Sequence, residues 1–427
     1  MKIDVAFGKG KLEVDVPDAN LSAIYRKKKM EKKSDPERAV REALAVPIGS
    51  PTLFRIARGK SSACIVVNDI TRPVPNSLIL PPMIEELTAS GIPKSKIILL
   101  NATGTHRPNI GAEAVELLGE KIASEFDLLN HDCFDDAAHR NIGVTASGTE
   151  VKLDARYLDS DVKILTGLIE PHFMAGYSGG RKAVCPGIAS IDTVRRIHSP
   201  HFMEMPNATN CVTSENPLHA ELTEIARMAG VDFILNVALD EERDLCGVFC
   251  GDLEAAHRAG VEFAMRHDMA QAKEQADIVV TSAAGYPLDK TFYQTIKGMV
   301  GALNVVKERG TIIIASECGE GLGNDTFSAC LDKFGEIGDI DKYIEHISKL
   351  ENFTPDQWQA EKYVAALRKA EVVLVSRGLT EKDIARARVG SAPTLQAALD
   401  AALKKRGRSA RVAVIPEGPY VVPCLCR

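Results

Sequence analysis

The sequence lacks any stretch approaching the roughly 18 consecutive apolar residues that crossing a bilayer requires, which excludes a transmembrane helix. Nor does it begin with a signal-peptide core. The opening MKIDVAFGKGKLEVDV alternates polar and apolar residues, so the expected location is the cytoplasm. It has no excess of positive charge: 52 Lys plus Arg stand against 58 Asp plus Glu, a formal net charge of −6. Such a chain has no global attraction for nucleic acid or an anionic membrane, and neither is expected as a partner. Ten cysteines are scattered irregularly; only Cys246/Cys250 and Cys424/Cys426 lie close together, and neither pair is Cys-x-x-Cys. Reduced thiols are expected, not a zinc site or a disulfide framework. Internal repeats and low-complexity tracts are also missing.

What is present is an ordinary globular composition, 45% hydrophobic and 26% charged, in 427 residues. That length exceeds the roughly 250–300 residues at which one core stops growing, so two domains are expected. Short apolar runs alternate with longer segments of helical period, the pattern of an α/β fold with largely parallel sheets flanked by helices. Expected strands are Ala63 to Asn68, Lys96 to Asn101, Val162 to Leu168, Phe233 to Ala238, Asp277 to Ser282, Thr311 to Ser316, Glu371 to Ser376 and Arg411 to Ile415. Expected helices include Ser77 to Ala89, Ile191 to His198, Pro217 to Met228, Leu253 to Met269, Lys290 to Leu303, Pro355 to Lys369 and Ala392 to Lys405. The polar segment Gln271 to Asp277 puts the domain boundary near 272, giving domains 1–271 and 272–427. The basic stretch Arg26 to Arg38 is interrupted by acids and is expected to be a solvated helix face or loop.

Four loops after expected strands concentrate chemistry, and ligands of open α/β sheets bind at the carboxyl ends of strands. In NDITRPVPN, Asp69 and Arg72 offer either a local ion pair or a planar fork for phosphate or carboxylate. In NATGTHRP, Thr103, Gly104 and Thr105 suit an anion-binding nest with His106 at its tip. In GLIEPHFMAGYSGGRKAVCPGIAS, His172 precedes Gly176, Gly179 and Gly180, then Arg181 and Lys182, before Pro186 and Gly187 open another helix. The glycines allow close backbone approach, and Lys182 is a phosphate counter-charge or, if desolvated, an amine nucleophile. The order of residues is not that of a Walker A loop. Just beyond, His198 and His201 are three apart, but Pro200 between them stops the helix, so one metal ligand and one bystander are expected. In GYPLDKTFYQTIKGM, Tyr293, Gln294 and Lys297 combine a phenol, an amide and an ammonium suited to a small hydroxylated anion. The GEGLG run at Gly319 to Gly323 departs from the dinucleotide fingerprint, which argues against a nicotinamide-dependent dehydrogenase.

Together ATGTHRP, EPHFMAGYSGGRKAVCPGIAS, a histidine sixteen residues after the lysine, and YPLDKTFYQTIKGM resemble the lactate racemase family of nickel-pincer enzymes over essentially the whole length. The successive intervals, His106 to His172, His172 to Lys182 and Lys182 to His198, are 66, 10 and 16 residues, matching that family's two catalytic histidines, tethering lysine and metal-ligand histidine. The resemblance implies nickel held by a pyridinium-3-thioamide-5-thiocarboxylic acid mononucleotide, tethered to Lys182, with His198 as metal ligand. His106 and His172 would flank the substrate as acid–base residues. Asp69, Arg72, Thr103, Gly104, Thr105, Gly179 and Gly180 would hold the nucleotide, with Arg72 also facing the substrate carboxylate. Tyr293, Gln294 and Lys297 would bind substrate from the second domain across an interdomain cleft, and Trp358, the sole tryptophan, would pack on the cofactor.

The implied reaction is racemisation or epimerisation of a 2-hydroxy acid, lactate or a relative such as malate. One histidine takes the hydroxyl proton while hydride leaves C2; the keto acid reorients and hydride returns to its other face. Two imidazoles titrating near neutrality suit a symmetric interconversion. Met174 and Tyr177 leave the substrate side chain open. Cofactor-biosynthesis proteins are implied partners; the sequence carries no signal of oligomeric state. A cofactor carrier without catalysis would use Lys182 and His198 but leave His106 and His172 without work.

Overall fold

A computed structural model describes residues 1–425; Cys426 of the Cys424/Cys426 pair lies outside the described residues. The chain forms two compact units. One comprises residues 29–198 and 207–266, the other residues 1–28, 199–206 and 267–427. A single cut at 272 therefore does not describe the units, because the first 28 residues join the later part of the chain. The reason is strand pairing: Leu21–Ile24 runs parallel to Val412–Ile415 at the edge of the second unit's sheet.

In the first of these units a six-stranded sheet runs in the order Leu245–Gly251, Phe233–Leu239, Val162–Leu168, Ala63–Asn68, Ile97–Ala102, Leu128–Asn130. All neighbours are parallel except the edge strand Leu245–Gly251, which returns antiparallel in a hairpin. The inner strands ACIVVN and VKILTGL are almost wholly buried, as continuous apolar runs must be when both faces of a parallel sheet are covered. Helices Pro36–Ala45, Asn76–Ala89, Pro217–Ala229 and Leu253–Asp268 belong to this part of the chain. Pro217 at the first helical position and the Asn216 side chain, accepting from the His219 amide at 3.0 Å, start the third of these.

The other unit holds a fully parallel sheet ordered Gly390–Ser391, Ala370–Val375, Val306–Ala315, Ala276–Ser282, Val412–Ile415, Leu21–Ile24. The alternating start of the chain is a hairpin, Lys2–Phe7 with Gly10–Asp15. Its apolar side, Ile3, Val5, Phe7 and Val14, packs with Ile278, Val280, Ile313 and Val412 of the sheet and Leu395 and Leu399 of helix Leu395–Arg406. Among the described residues no helix is long and apolar enough to cross a membrane.

Local differences from expectation have local causes. No helix opens at Pro186 and Gly187. Residues 184–189 turn tightly, because Gly187 backs onto the Ala183 carbonyl, and the helix Ile191–Ile197 starts after Ser190, whose hydroxyl accepts from the Thr193 amide. The helix expected from Lys290 starts at Phe292, since Leu288–Lys290 is a separate 3₁₀ turn and Thr291 is the cap. Residues 26–33 of the basic stretch are irregular, and helix Pro36–Ala45 follows the Asp35 cap.

Candidate active site

The first sheet reverses its winding between Ala63–Asn68 and Val162–Leu168: the chain passes from Ala63–Asn68 outward through Ile97–Ala102 and Leu128–Asn130, then returns to build the other half. Such a switch point leaves a crevice beyond the strand carboxyl ends. The loops bearing Asp69 and Arg72, His106, and His172 all leave strands at this end. Across the crevice Nη1 of Arg72 meets Oε1 of Glu170 at 3.4 Å, both half-buried.

Asp69 is buried, and its two oxygens serve two side chains. Oδ1 accepts from the Thr71 hydroxyl at 2.6 Å, and Oδ2 lies 2.7 Å from Nδ1 of the exposed His106. Burial works against the charge of Asp69, yet His106, Thr71 and Arg72 outweigh it and hold the carboxyl below its ordinary range. The turn before His106 is sealed internally. Thr103 gives its hydroxyl to the His131 carbonyl at 2.8 Å, and Gly104, at φ +57°, gives its amide to the Gly187 carbonyl at 3.0 Å. Those two donors are thereby turned into the protein instead of toward an anion; Thr105 beside them is half-buried.

The glycine loop presents His172 and Lys182. Pro171–His172 and Gly176–Tyr177 form a short antiparallel ladder, and Nδ1 of His172 accepts from the amides of Met174 at 3.3 Å and Ala175 at 3.2 Å. Gly179 and Gly180 make their close approaches to protein: an added Cβ would meet Asn236 Oδ1 at 2.3 Å and His257 Cδ2 at 2.9 Å respectively. Asn236 Oδ1 also accepts the Gly180 amide at 2.9 Å. Arg181 is buried, donating through Nη2 to the Ala175 and Tyr177 carbonyls at 2.9 and 3.0 Å, with Nη1 2.8 Å from Nε2 of His257. It is not the solvated partner of Lys182 that a basic pair suggests. Burial, then the charges of Arg181 and Arg72, bring the Lys182 ammonium down to about 7.

His198 follows the last turn of helix Ile191–Ile197 and is buried. Its Nδ1 donates to the Val194 carbonyl at 3.1 Å, which leaves the lone pair of the neutral ring on Nε2. Burial, then the charge of Lys182, depress its pKa to about 3, so the ring is neutral at neutral pH. His201, on the short helix Pro200–Met203, is exposed. A neutral imidazole and an amine that is deprotonated near neutrality are the donor and the nucleophile that a metal-bearing, lysine-tethered nucleotide requires, and these residues fit it.

In the other unit, helix Phe292–Ala302 carries Tyr293, Gln294 and Lys297. The Tyr293 hydroxyl donates to Asp356 at 3.0 Å, and Gln294 Oε1 is buried without a partner among the described residues. The GEGLG turn caps this helix: the carbonyls of Gly321 and Leu322 accept the amides of Phe292 and Tyr293 at 3.0 and 2.9 Å. That is its structural purpose. Trp358, expected against the cofactor, is buried with its ring 6.3 Å from that of Phe353, and its side chain bonds to Tyr293.

Glu170, Asn236 and His257 were not singled out from the sequence. Asn236 and His257 lie 56 and 76 residues from their loop partners, and no local spacing signals such contacts. Glu170 carries a weak signal, a carboxylate two residues before His172 at a strand end.

Two imidazoles and a buried lysine of lowered pKa on loops at the carboxyl end of a parallel sheet are the kind of groups an α/β enzyme carries at its switch point. Residues 7–210 match the lactate racemase N-terminal domain and residues 271–422 the lactate racemase C-terminal domain, so the chain belongs to the lactate racemase family. It is 34% identical over 427 aligned residues to a lactate racemase of Lactiplantibacillus plantarum, covering 98% of this chain and 99% of the relative. It is 33% identical over 422 residues to a lactate racemase of Thermoanaerobacterium thermosaccharolyticum, covering 98% of each. The solved lactate racemase apoprotein from the latter organism superposes with a TM-score of 0.92 at 34% identity, over 99% of this chain and 100% of that one. A Thermotoga maritima protein shares the fold at 18% identity, with a TM-score of 0.64 over 93% of this chain and 100% of that one.

Proposed function

We propose that the protein is an isomerase that racemises a 2-hydroxy acid in the cytoplasm, with lactate as the first candidate and malate as the alternative. The observation that carries this reading is the crevice itself. His106 and His172 offer ring nitrogens from two of its loops, the buried His198 ring is held neutral, and the Lys182 amine is brought down to about 7. Lys182 would tether a nickel-pincer mononucleotide, His198 would ligate its nickel, and residues of the 69–72, 103–105 and 179–180 loops would line it. When bound, that group supplies the acceptor for hydride from C2, which the chain itself lacks.

The protein's own residues do the rest. His106, oriented by Asp69, takes the hydroxyl proton, and the second histidine serves the other face of the keto acid. Arg72 offers a fork to the substrate carboxylate. Tyr293, Gln294 and Lys297 would bind the substrate, with the cofactor and acid–base groups carried by the unit of residues 29–198 and 207–266. Supply of the nucleotide falls to cofactor-biosynthesis proteins.

The test uses protein shown by metal analysis and intact mass to carry nickel and a Lys182 adduct. Single enantiomers of lactate and malate are incubated with it and resolved chirally. Conversion of one acid to the racemate is expected, lost in His106→Gln and His172→Gln variants that retain the adduct. A loaded protein that racemises neither acid contradicts the reading.

A further inference from the structure

The two acid–base histidines meet opposite kinds of hydrogen-bonding partner. Nδ1 of His106 faces Oδ2 of Asp69 at 2.7 Å, and a carboxylate only accepts. Its Nδ1 therefore carries a proton, and the lone pair of the neutral ring is on Nε2. Nδ1 of His172 faces the amides of Met174 and Ala175 at 3.3 and 3.2 Å, and amides only donate. Here the lone pair is on Nδ1 and the proton of the neutral ring on Nε2.

We infer that the two rings rest in opposite tautomers, and that Asp69 is the positioning residue that makes His106, not His172, the resting proton acceptor. The carboxylate is itself pinned, since Oδ1 accepts from Thr71 at 2.6 Å and the Asp69 carbonyl accepts the Arg72 amide at 3.0 Å. His172 rests as a donor through Nε2. For it to take up a hydroxyl proton, its ring proton must first move to Nδ1, which breaks both amide bonds. Arg181, holding the Ala175 carbonyl, supports that resting state.

The consequence for turnover rests on the racemase reading. A substrate whose hydroxyl faces His106 starts from the resting protein; its mirror image starts only after His172 has rearranged. Enantiomers are equal in free energy, so kcat/KM is the same in both directions, and the asymmetry appears in kcat and KM taken separately.

The test begins on cofactor-free protein labelled with ¹⁵N-histidine, at pH 8, with the rings assigned by His106→Gln and His172→Gln. Ring ¹⁵N shifts are expected to show His106 protonated on Nδ1 and His172 on Nε2. Asp69→Asn, whose amide donates to Nδ1, is expected to move His106 to the Nε2 tautomer. Thr71→Val, which removes only the second bond to the carboxylate, is the milder variant and is expected to shift part of the population the same way. Identical tautomers in the two rings, or an unchanged His106 pattern in both variants, would overturn the inference. In loaded protein Asp69→Asn is expected to lower kcat at least about tenfold with the adduct retained; an unchanged kcat would overturn the positioning role. Loaded wild-type protein that turns over nothing overturns the racemase reading and leaves the tautomers standing.

Discussion

Nη1 of Arg72 lies 3.4 Å from Oε1 of Glu170, so a single ion pair joins the loops on either side of the switch point. Both side chains keep about 30% exposure, and a half-exposed pair of this kind adds no more than about 1 kcal/mol to stability. Arg72 is thus free to serve the site at little structural cost. Arg72→Lys retains the charge but loses the planar fork. The expected result is a lactate KM raised about tenfold, the ~1.4 kcal/mol of a lost charged contact, with a melting temperature within about 2 °C. An unchanged KM removes Arg72 from substrate binding.

The Lys182 amine is brought down to about 7 by burial and by Arg181 and Arg72, against 10.5 for an ordinary lysine. A lowered lysine pKa leaves the amine neutral, and nucleophilic, above about pH 7. In cofactor-free protein a small acylating reagent is expected to label Lys182 before other lysines, with a rate whose midpoint falls near pH 7. Peptide mass analysis after brief labelling between pH 5 and 10 reads this. A midpoint near 10 contradicts it.

Arg181 connects the loop to itself: it donates to the Ala175 and Tyr177 carbonyls, and the Ala175 amide in turn donates to His172. Lysine in its place keeps a cation but cannot reach both carbonyls with one planar group. Arg181→Lys is expected to cost about 1–3 kcal/mol, as buried acceptors lose their donors, and to lower kcat more than it raises KM. Urea unfolding with steady-state kinetics checks both. Lost stability at full kcat would confine Arg181 to a structural role.

His219 and His257 stand 6.1 Å apart behind the glycine loop. Burial, then the charge of Arg181, takes His219 from 6.5 to about 3, and the same causes, with a hydrogen bond to the Ser178 carbonyl opposing, hold His257 well below 6.5. Both stay neutral in the folded protein while the unfolded chain takes up protons below 6.5. The unfolded state thus binds more protons, and stability falls as pH drops from about 6.5 toward 3. Asp69 and Asp154, whose pKa values are lowered, add their own loss only below about 3.8. Urea midpoints at pH 7.5 and 5.5 are expected to show the decline, and His219→Gln is expected to reduce it, with His257 and His198 supplying the remainder. A midpoint independent of pH over that range contradicts the buried neutral pair.

Strands buried on both faces were legible because they are mostly apolar: Ala63–Asn68 and Val162–Leu168 have the bounds expected from their apolar runs. The hairpin His139–Val144 with Glu150–Asp154 was not, since HRNIGV is largely polar and exposed and carries no period-2 pattern of burial. The return strand LCGVFCG is broken by glycines that weaken any strand signal. In the site, the resemblance to the lactate racemase family, carried by motifs and their intervals, pointed to His106, His172, Lys182 and His198. The protonation of the three histidines was not legible, because it is set by Asp69, by two backbone amides and by a helix carbonyl whose directions only the fold fixes, and that of Lys182 is set by its burial.

The most direct test of the central claim is the fate of the C2 hydrogen. D-lactate deuterated at C2 is converted by nickel-loaded, Lys182-linked protein in ordinary water, and the L-lactate formed is isolated and weighed by mass spectrometry. Hydride transfer out and back is expected to leave the deuterium at C2. L-lactate that has exchanged its deuterium for solvent hydrogen would mean proton abstraction at C2, and would contradict it.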